Sequence, residues 1–90
     1  MGKFCYVYVL RSSVDRNFYV GLARDLRQRF DEHKAGRVPS TAARRPLDLV
    51  YYEACRNIHD AAAREKYLKS AWGKRYLKTR LKLFLTELAP

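Results

Sequence analysis

Acidic residues are scarce in this chain of 90 residues. Nine Asp and Glu stand against 19 Lys and Arg, a formal net charge of +10. An excess that large on so short a chain disfavours cationic partners and points to a polyanion, most often nucleic acid. Glycine and proline are few as well, four and three. With 48% of residues apolar, that excludes a collagen-like or low-complexity chain and gives a globular composition. Long apolar runs are missing, so nothing spans a bilayer and no membrane partner is expected. The N-terminal "MGKFCYVYVL" holds one Lys and an apolar run that carries tyrosines. It reads as a first strand rather than a signal peptide, and the expected location is cytoplasmic.

Cysteine is limited to Cys5 and Cys55, both inside strand-like runs. Without a sign of export they read as reduced core thiols rather than a disulfide. Together with His33 and His59 they show no paired ligand spacing, which argues against a zinc site. The length allows one small core, so residues 1–90 are read as a single domain.

What is present is patterned. "KFCYVYVLRS" (3–12) alternates β-branched and aromatic residues and predicts a strand. "SVDRN" (13–17) is a polar turn and "FYVG" (18–21) a second strand, so the pair predicts a hairpin. "LARDLRQRFDEHKAG" (22–36) predicts a helix with Leu26 and Phe30 inward and Gly36 as its stop. "RVPSTAARRP" (37–46) reads as a loop, and "LDLVYYEAC" (47–55) as a third strand. Asn57 is placed to cap a helix in which Ala61, Leu68 and Trp72 share the apolar face and Arg64, Lys66 and Lys69 point to water. Gly73 breaks that run. A last amphipathic helix follows over 74–88, with Leu77, Leu81, Phe84 and Leu88 as its stripe and Lys74, Arg75, Lys78 and Lys82 on the opposite face. The order β-β-α-β-α-α predicts an α+β fold: a small, three-stranded, mostly antiparallel sheet flanked by helices. From Lys66 to Lys82 there are seven cations and no acid, which marks the nucleic-acid-binding candidates Lys69, Lys74, Arg75, Lys78 and Lys82.

Several polar residues sit where apolar ones are expected. Glu65 lies four residues after Ala61 and three before Leu68, on the apolar stripe. Arg29 and His33 are four apart and border the Leu26 and Phe30 stripe. In a hairpin, Tyr8 and Tyr19 come close to each other. Each residue also has a plain structural reading. The tyrosines suit strands, Arg29 can pair with Asp25, Glu65 can pair with Lys69, and His33 suits a helix C-terminus. Glu53 is read as structural.

"YVYVL" followed by "YVG" resembles the paired motifs of the GIY-YIG nuclease superfamily, above all its small stand-alone bacterial members of endonuclease type. Tyr8 matches the tyrosine of the first motif, and Tyr19 and Gly21 match the first tyrosine and the glycine of the second. Arg29, ten residues after Tyr19, matches the family's catalytic arginine. His33 falls where several members carry a histidine, and Glu65 matches the metal-binding glutamate. "STAARRP", "LDLVYYE" and "REKYLKSAW" resemble stretches of the small members as well. Tyr6 replaces the glycine that opens the first motif, and Leu22 stands where excision-repair relatives carry a lysine.

The resemblance implies a metal-dependent endonuclease that hydrolyses phosphodiester bonds in DNA. Tyr8 would be the base, with Tyr19 or His33 orienting water or relaying its proton. Arg29 would donate to the phosphate oxygens, and Glu65 would hold Mg²⁺ or another divalent cation such as Mn²⁺. Two other readings stay open on the same residues. One is a non-catalytic nucleic-acid-binding module that uses the basic face with Trp72 or exposed tyrosines for stacking. The other is an adaptor whose last amphipathic helix docks a protein partner.

Overall fold

The computed structural model describes residues 3–88. The part of the N-terminal reading that involves Met1 and Gly2 lies outside them. Strands β1 (Cys5–Ser12), β2 (Phe18–Ala23) and β3 (Leu47–Cys55) form one sheet in the order β2-β1-β3, with both pairings antiparallel. The helices are α1 (Leu26–Lys34), α2 (Pro39–Ala42), α3 (Ile58–Lys69), α4 (Ala71–Arg80) and α5 (Lys82–Leu88). The expected α+β architecture is present. It gains one short helix, α2, inside the segment read as a loop, and its last helix comes in two pieces.

β1 is the central strand and is covered on both faces. Cys5, Val7 and Val9 pack with Val20 against Ala61 and Leu68 of α3 and Leu77 of α4. Tyr8 and Leu10 face the other way and pack with Leu47 against Leu26 and Phe30 of α1. The period of two therefore sorts β1 into two buried faces, not one buried and one wet. Against β3 the register shifts between Val9 and Leu10, leaving Val50 as the extra residue of a bulge.

Four local expectations are corrected. Helix α1 begins at Leu26, not at 22, because Leu22 and Ala23 continue β2 opposite Val7 and Tyr6. Asp25 caps the helix by accepting from the Gln28 amide at 3.0 Å. Gly73 does not break the helical run; the chain turns at Ser70, whose hydroxyl accepts from the Gly73 amide at 3.2 Å. Gly73 is needed for another reason, since a Cβ there would run into the Tyr67 carbonyl and the Leu68 backbone. Its absence lets α4 fold back on α3. Trp72 falls beyond that turn, so it leaves the Ala61–Leu68 face and stands 67% exposed. Arg64 does not point freely to water. It makes a two-pronged pair with Glu53, 2.9 Å on each arm, and the Tyr51 hydroxyl donates to the same carboxylate. That supports the structural reading of Glu53. No helix among the described residues is long and apolar enough to cross a membrane.

Candidate active site

The site begins at the β1–β2 hairpin. Antiparallel register sets Tyr8 directly opposite Gly21. The Tyr8 ring lies across the space a side chain at 21 would fill: a Cβ there would come 2.8 Å from Cε1 and closer still to Cζ and the hydroxyl. Gly21 is thus the seat of the Tyr8 ring. Tyr19 stands two residues earlier on β2, and its ring centroid is 6.5 Å from that of Tyr8.

Helix α1 brings His33 over both rings, at centroid distances of 5.6 Å from Tyr8 and 5.2 Å from Tyr19. His33 is fully buried, and both ring nitrogens are engaged. Nε2 lies 2.7 Å from the Tyr8 hydroxyl and Nδ1 2.7 Å from Thr41 Oγ1. Burial first, and the Arg29 charge second, lower its pKa below the usual histidine range, while Glu32 works the other way. The imidazole is therefore held neutral. Tyr8, 1% exposed, has a raised pKa. Burial is the main cause, the adjacent Arg29 guanidinium opposes it, and the Tyr19 and Glu65 charges add to it.

The expected Arg29–Asp25 pair is not formed. Asp25 is spent on the helix cap, and Arg29 donates instead to Glu32 Oε1 at 2.9 Å. That hydrogen bond raises its pKa further, so Arg29 stays charged. The expected Glu65–Lys69 pair is formed, at 3.2 Å. Glu65 keeps 22% of its side chain exposed, so the carboxylate on the apolar stripe sits at the rim of the core rather than inside it. Thus Tyr8, Tyr19, Arg29 and His33 gather on one side of the hairpin. Glu65 approaches from α3, close enough for its charge to act on Tyr8.

The chain matches the GIY-YIG catalytic domain over residues 4–80. It belongs to the GIY-YIG family. Among its relatives are a UPF0213 protein encoded in the ldhD 5′ region of Pediococcus acidilactici, 39% identical over 79 residues, or 81% of this chain and 76% of that one. A UPF0213 protein of Pediococcus pentosaceus is 40% identical over 65 residues, covering 71% and 67%. One from Haloquadratum walsbyi is 35% identical over 71 residues, covering 78% and 79%. No solved structure matches the chain. A GIY-YIG catalytic domain is a nuclease-type domain, and its substrate class is nucleic acid.

GIY-YIG nucleases generally use a divalent metal, and the donor set here fits one kind of site. Among the described residues no three His, Cys, Asp or Glu side chains cluster, which rules out an all-protein cage there. Mg²⁺ does not need one; it takes one or two carboxylates and fills its shell with water and substrate phosphate. Glu65, partly exposed and paired with a half-exposed Lys69, suits that mode.

The basic residues of the GIY-YIG domain divide. Lys74, Arg75, Lys78 and Lys82 line one exposed cleft with Thr79. Lys74 and Lys78 also line a second, with Arg11, Arg16 and the Arg44–Asp15 pair from the sheet end and the α2–β3 connection. Lys74 further borders the cleft that Tyr19 lines with Lys69, so the basic face runs up to the edge of the candidate site. Two of these cations are held by carboxylates, Lys69 by Glu65 at 3.2 Å and Arg44 by Asp15 at 2.7 Å. Sequence reasoning missed Thr41, although it lies in the family-like stretch "STAARRP". It also missed Glu32, for which the i+3 spacing from Arg29 was the available signal.

Proposed function

We propose that this domain is a DNA endonuclease that hydrolyses phosphodiester bonds at the Tyr8 site. The observation that carries the reading is convergence. Tyr8, Tyr19, Arg29 and His33 come from three elements to one hydroxyl, with Glu65 beside them, in a chain of the GIY-YIG family. Arg29 supplies fixed positive charge to the non-bridging phosphate oxygens, where charge builds in the transition state. Tyr8 accepts the proton of the attacking water as its own proton passes to His33 Nε2, 2.7 Å away. Tyr19, packed on both rings, holds them in register. Glu65 would hold Mg²⁺ or Mn²⁺, which when bound would offset charge on the phosphate and the leaving oxygen. Lys69 must yield the carboxylate for that. Lys74, Arg75, Lys78 and Lys82 bind the flanking phosphates.

The non-catalytic nucleic-acid-binding module remains the second reading, and two observations favour it. Tyr8 is almost fully buried, and Glu65 already has a lysine partner. Under the nuclease reading a docked phosphate would have to compete with Glu32 for Arg29, and the Tyr8 hydroxyl would have to open to water. A panel of single-stranded, duplex, nicked and branched DNA, plus RNA, incubated with Mg²⁺ or with chelator, separates the two. The expected outcome is Mg²⁺-dependent cutting of DNA that Glu65→Gln abolishes while DNA affinity persists. Cutting by Glu65→Gln at the wild-type rate would return Glu65 to a structural role. No cutting of any substrate would leave the binding module.

A further inference from the structure

His33 is locked at both ring nitrogens by groups that water cannot replace. Tyr8, His33 and Thr41 are all 0–1% exposed. A neutral imidazole carries one N–H and one lone pair, so the two 2.7 Å hydrogen bonds cannot run the same way. The Tyr8 end decides the direction. Its hydroxyl hydrogen needs an acceptor, and of the hydroxyl's partners among the described residues, His33 Nε2 and the Arg29 guanidinium, His33 Nε2 is the one that can accept. The neighbouring Arg29 offers donors only. Were Nε2 protonated, the Tyr8 hydrogen would be buried without a partner, which native interiors avoid.

The Thr41 end agrees. Its Oγ1 can send its hydrogen to the Val38 carbonyl at 3.4 Å, a long hydrogen bond, while its lone pairs accept from Nδ1–H at 2.7 Å. Val38 also anchors the turn of α2, accepting from the Thr41 and Ala42 amides at 3.1 and 3.0 Å. The short helix therefore fixes the Thr41 hydroxyl in place.

We propose that Thr41 is a positioning residue that holds His33 in the Nδ1–H tautomer, so that the Nε2 lone pair faces the Tyr8 hydroxyl. An imidazole side chain free in water prefers the opposite tautomer, so the hydrogen bond to Thr41 has work to do. The tautomer follows from the hydrogen bonds alone; its use in catalysis rests on the endonuclease reading. In that use, one proton moves from water to the Tyr8 oxygen and one from Tyr8 to Nε2. The imidazolium formed keeps both donors paired, Nε2–H to Tyr8 and Nδ1–H to Thr41. The charged and titratable groups that face it are Arg29 and Glu32 from α1, Tyr8 from β1 and Tyr19 from β2. Of these Glu32 favours the added charge and Arg29 opposes it.

The test is a two-bond proton–nitrogen correlation spectrum of the ¹⁵N-histidine-labelled protein at neutral pH. Wild-type His33 is expected to show a protonated Nδ1 and an unprotonated Nε2. Thr41→Val keeps the shape without the acceptor; Tyr8 still claims the Nε2 lone pair, so the Nδ1–H share should fall, with an Nε2–H population appearing, whereas Thr41→Ser should match wild type. A wild-type His33 protonated at Nε2, or a Thr41→Val variant whose tautomer balance equals that of wild type, overturns the proposal. If Thr41→Val does not fold, Thr41→Ala supplies the same comparison. Single-turnover cleavage supplies the second readout. Thr41→Val should be slower by roughly tenfold or more at unchanged DNA affinity, and Thr41→Ser should recover most of the rate. Equal rates in wild type and Thr41→Val would overturn the positioning role. Absence of cleavage in wild type together with the Nδ1–H tautomer would overturn the endonuclease reading and uphold the tautomer assignment.

Discussion

Gly21→Ala perturbs the seat of Tyr8 without touching a charge. Gly21 lies within β2 and is not among the positive-φ glycines, so alanine meets no backbone strain. The cost comes from the Tyr8 ring. The new Cβ would come 2.8 Å from Cε1 and closer to Cζ and the hydroxyl, where carbon contacts prefer about 3.5–4.0 Å. Relief requires the ring to shift by on the order of 1 Å. The ring is 1% exposed and its hydroxyl is tied to His33 at 2.7 Å, so a shift that large breaks the bond. Overpacking costs about 1–3 kcal/mol, and a stranded buried hydroxyl about 1–3 kcal/mol more. The expected loss is about 2–6 kcal/mol, a fall in Tm of about 10 °C or more for a chain of this size. Urea denaturation of a double-mutant cycle isolates the cause. In a Tyr8→Leu background the ring is gone, so adding Gly21→Ala should cost less than about 1 kcal/mol, giving a coupling above about 1 kcal/mol. An equal cost in both backgrounds would refute the collision with Tyr8 as the reason for glycine at this position.

Three further outcomes are expected. Arg29→Ala should leave Tm nearly unchanged, because its pair with Glu32 is part-exposed, 39% and 31%, and such pairs contribute about 0–1 kcal/mol. Single-turnover cleavage should fall by about a hundredfold or more, and Arg29→Lys should recover little; full activity in Arg29→Ala removes it from the site. Charge reversal at Lys74 and Lys78, which line two basic clefts together, should flatten the salt dependence of DNA affinity, whereas an unchanged slope places the phosphates elsewhere. The depressed pKa of His33 means that the unfolded chain takes up this proton first on acidification. Its contribution is present above about pH 6.5 and is lost as pH falls below that value towards the folded pKa. Denaturation at pH 7 and pH 5 should show a loss that shrinks in His33→Gln, and an equal loss in both proteins counts against a neutral buried His33.

Some of this was written in the chain itself. The alternation of residues 5–12 and 47–55 set the strands, because a period of two assigns side chains to faces whatever lies against them. Spacing also marked the residues of the candidate site. Tyr8, Tyr19 and Gly21 belong to one hairpin, and Arg29 and His33 to one helix face, so local geometry brings most of them together. The charge balance pointed to the polyanion before any fold was considered.

Where a contact depended on how loops close, the sequence was silent or misleading. The turn at Ser70 took Trp72 off the core face, since helical periodicity holds only while the helix continues. Arg64 reached across to Glu53, eleven residues away on a different element, and so was not the solvated cation its helix position suggested. Arg29 chose Glu32 because the cap had already claimed Asp25. Thr41 had no pattern to mark it. It became the partner of His33 only because α2 folds the chain back beneath α1, and a hydrogen bond between side chains of different elements leaves no periodic trace in either. Local spacing fixed which residues could share a face; tertiary closure decided which of them met, and in which protonation state.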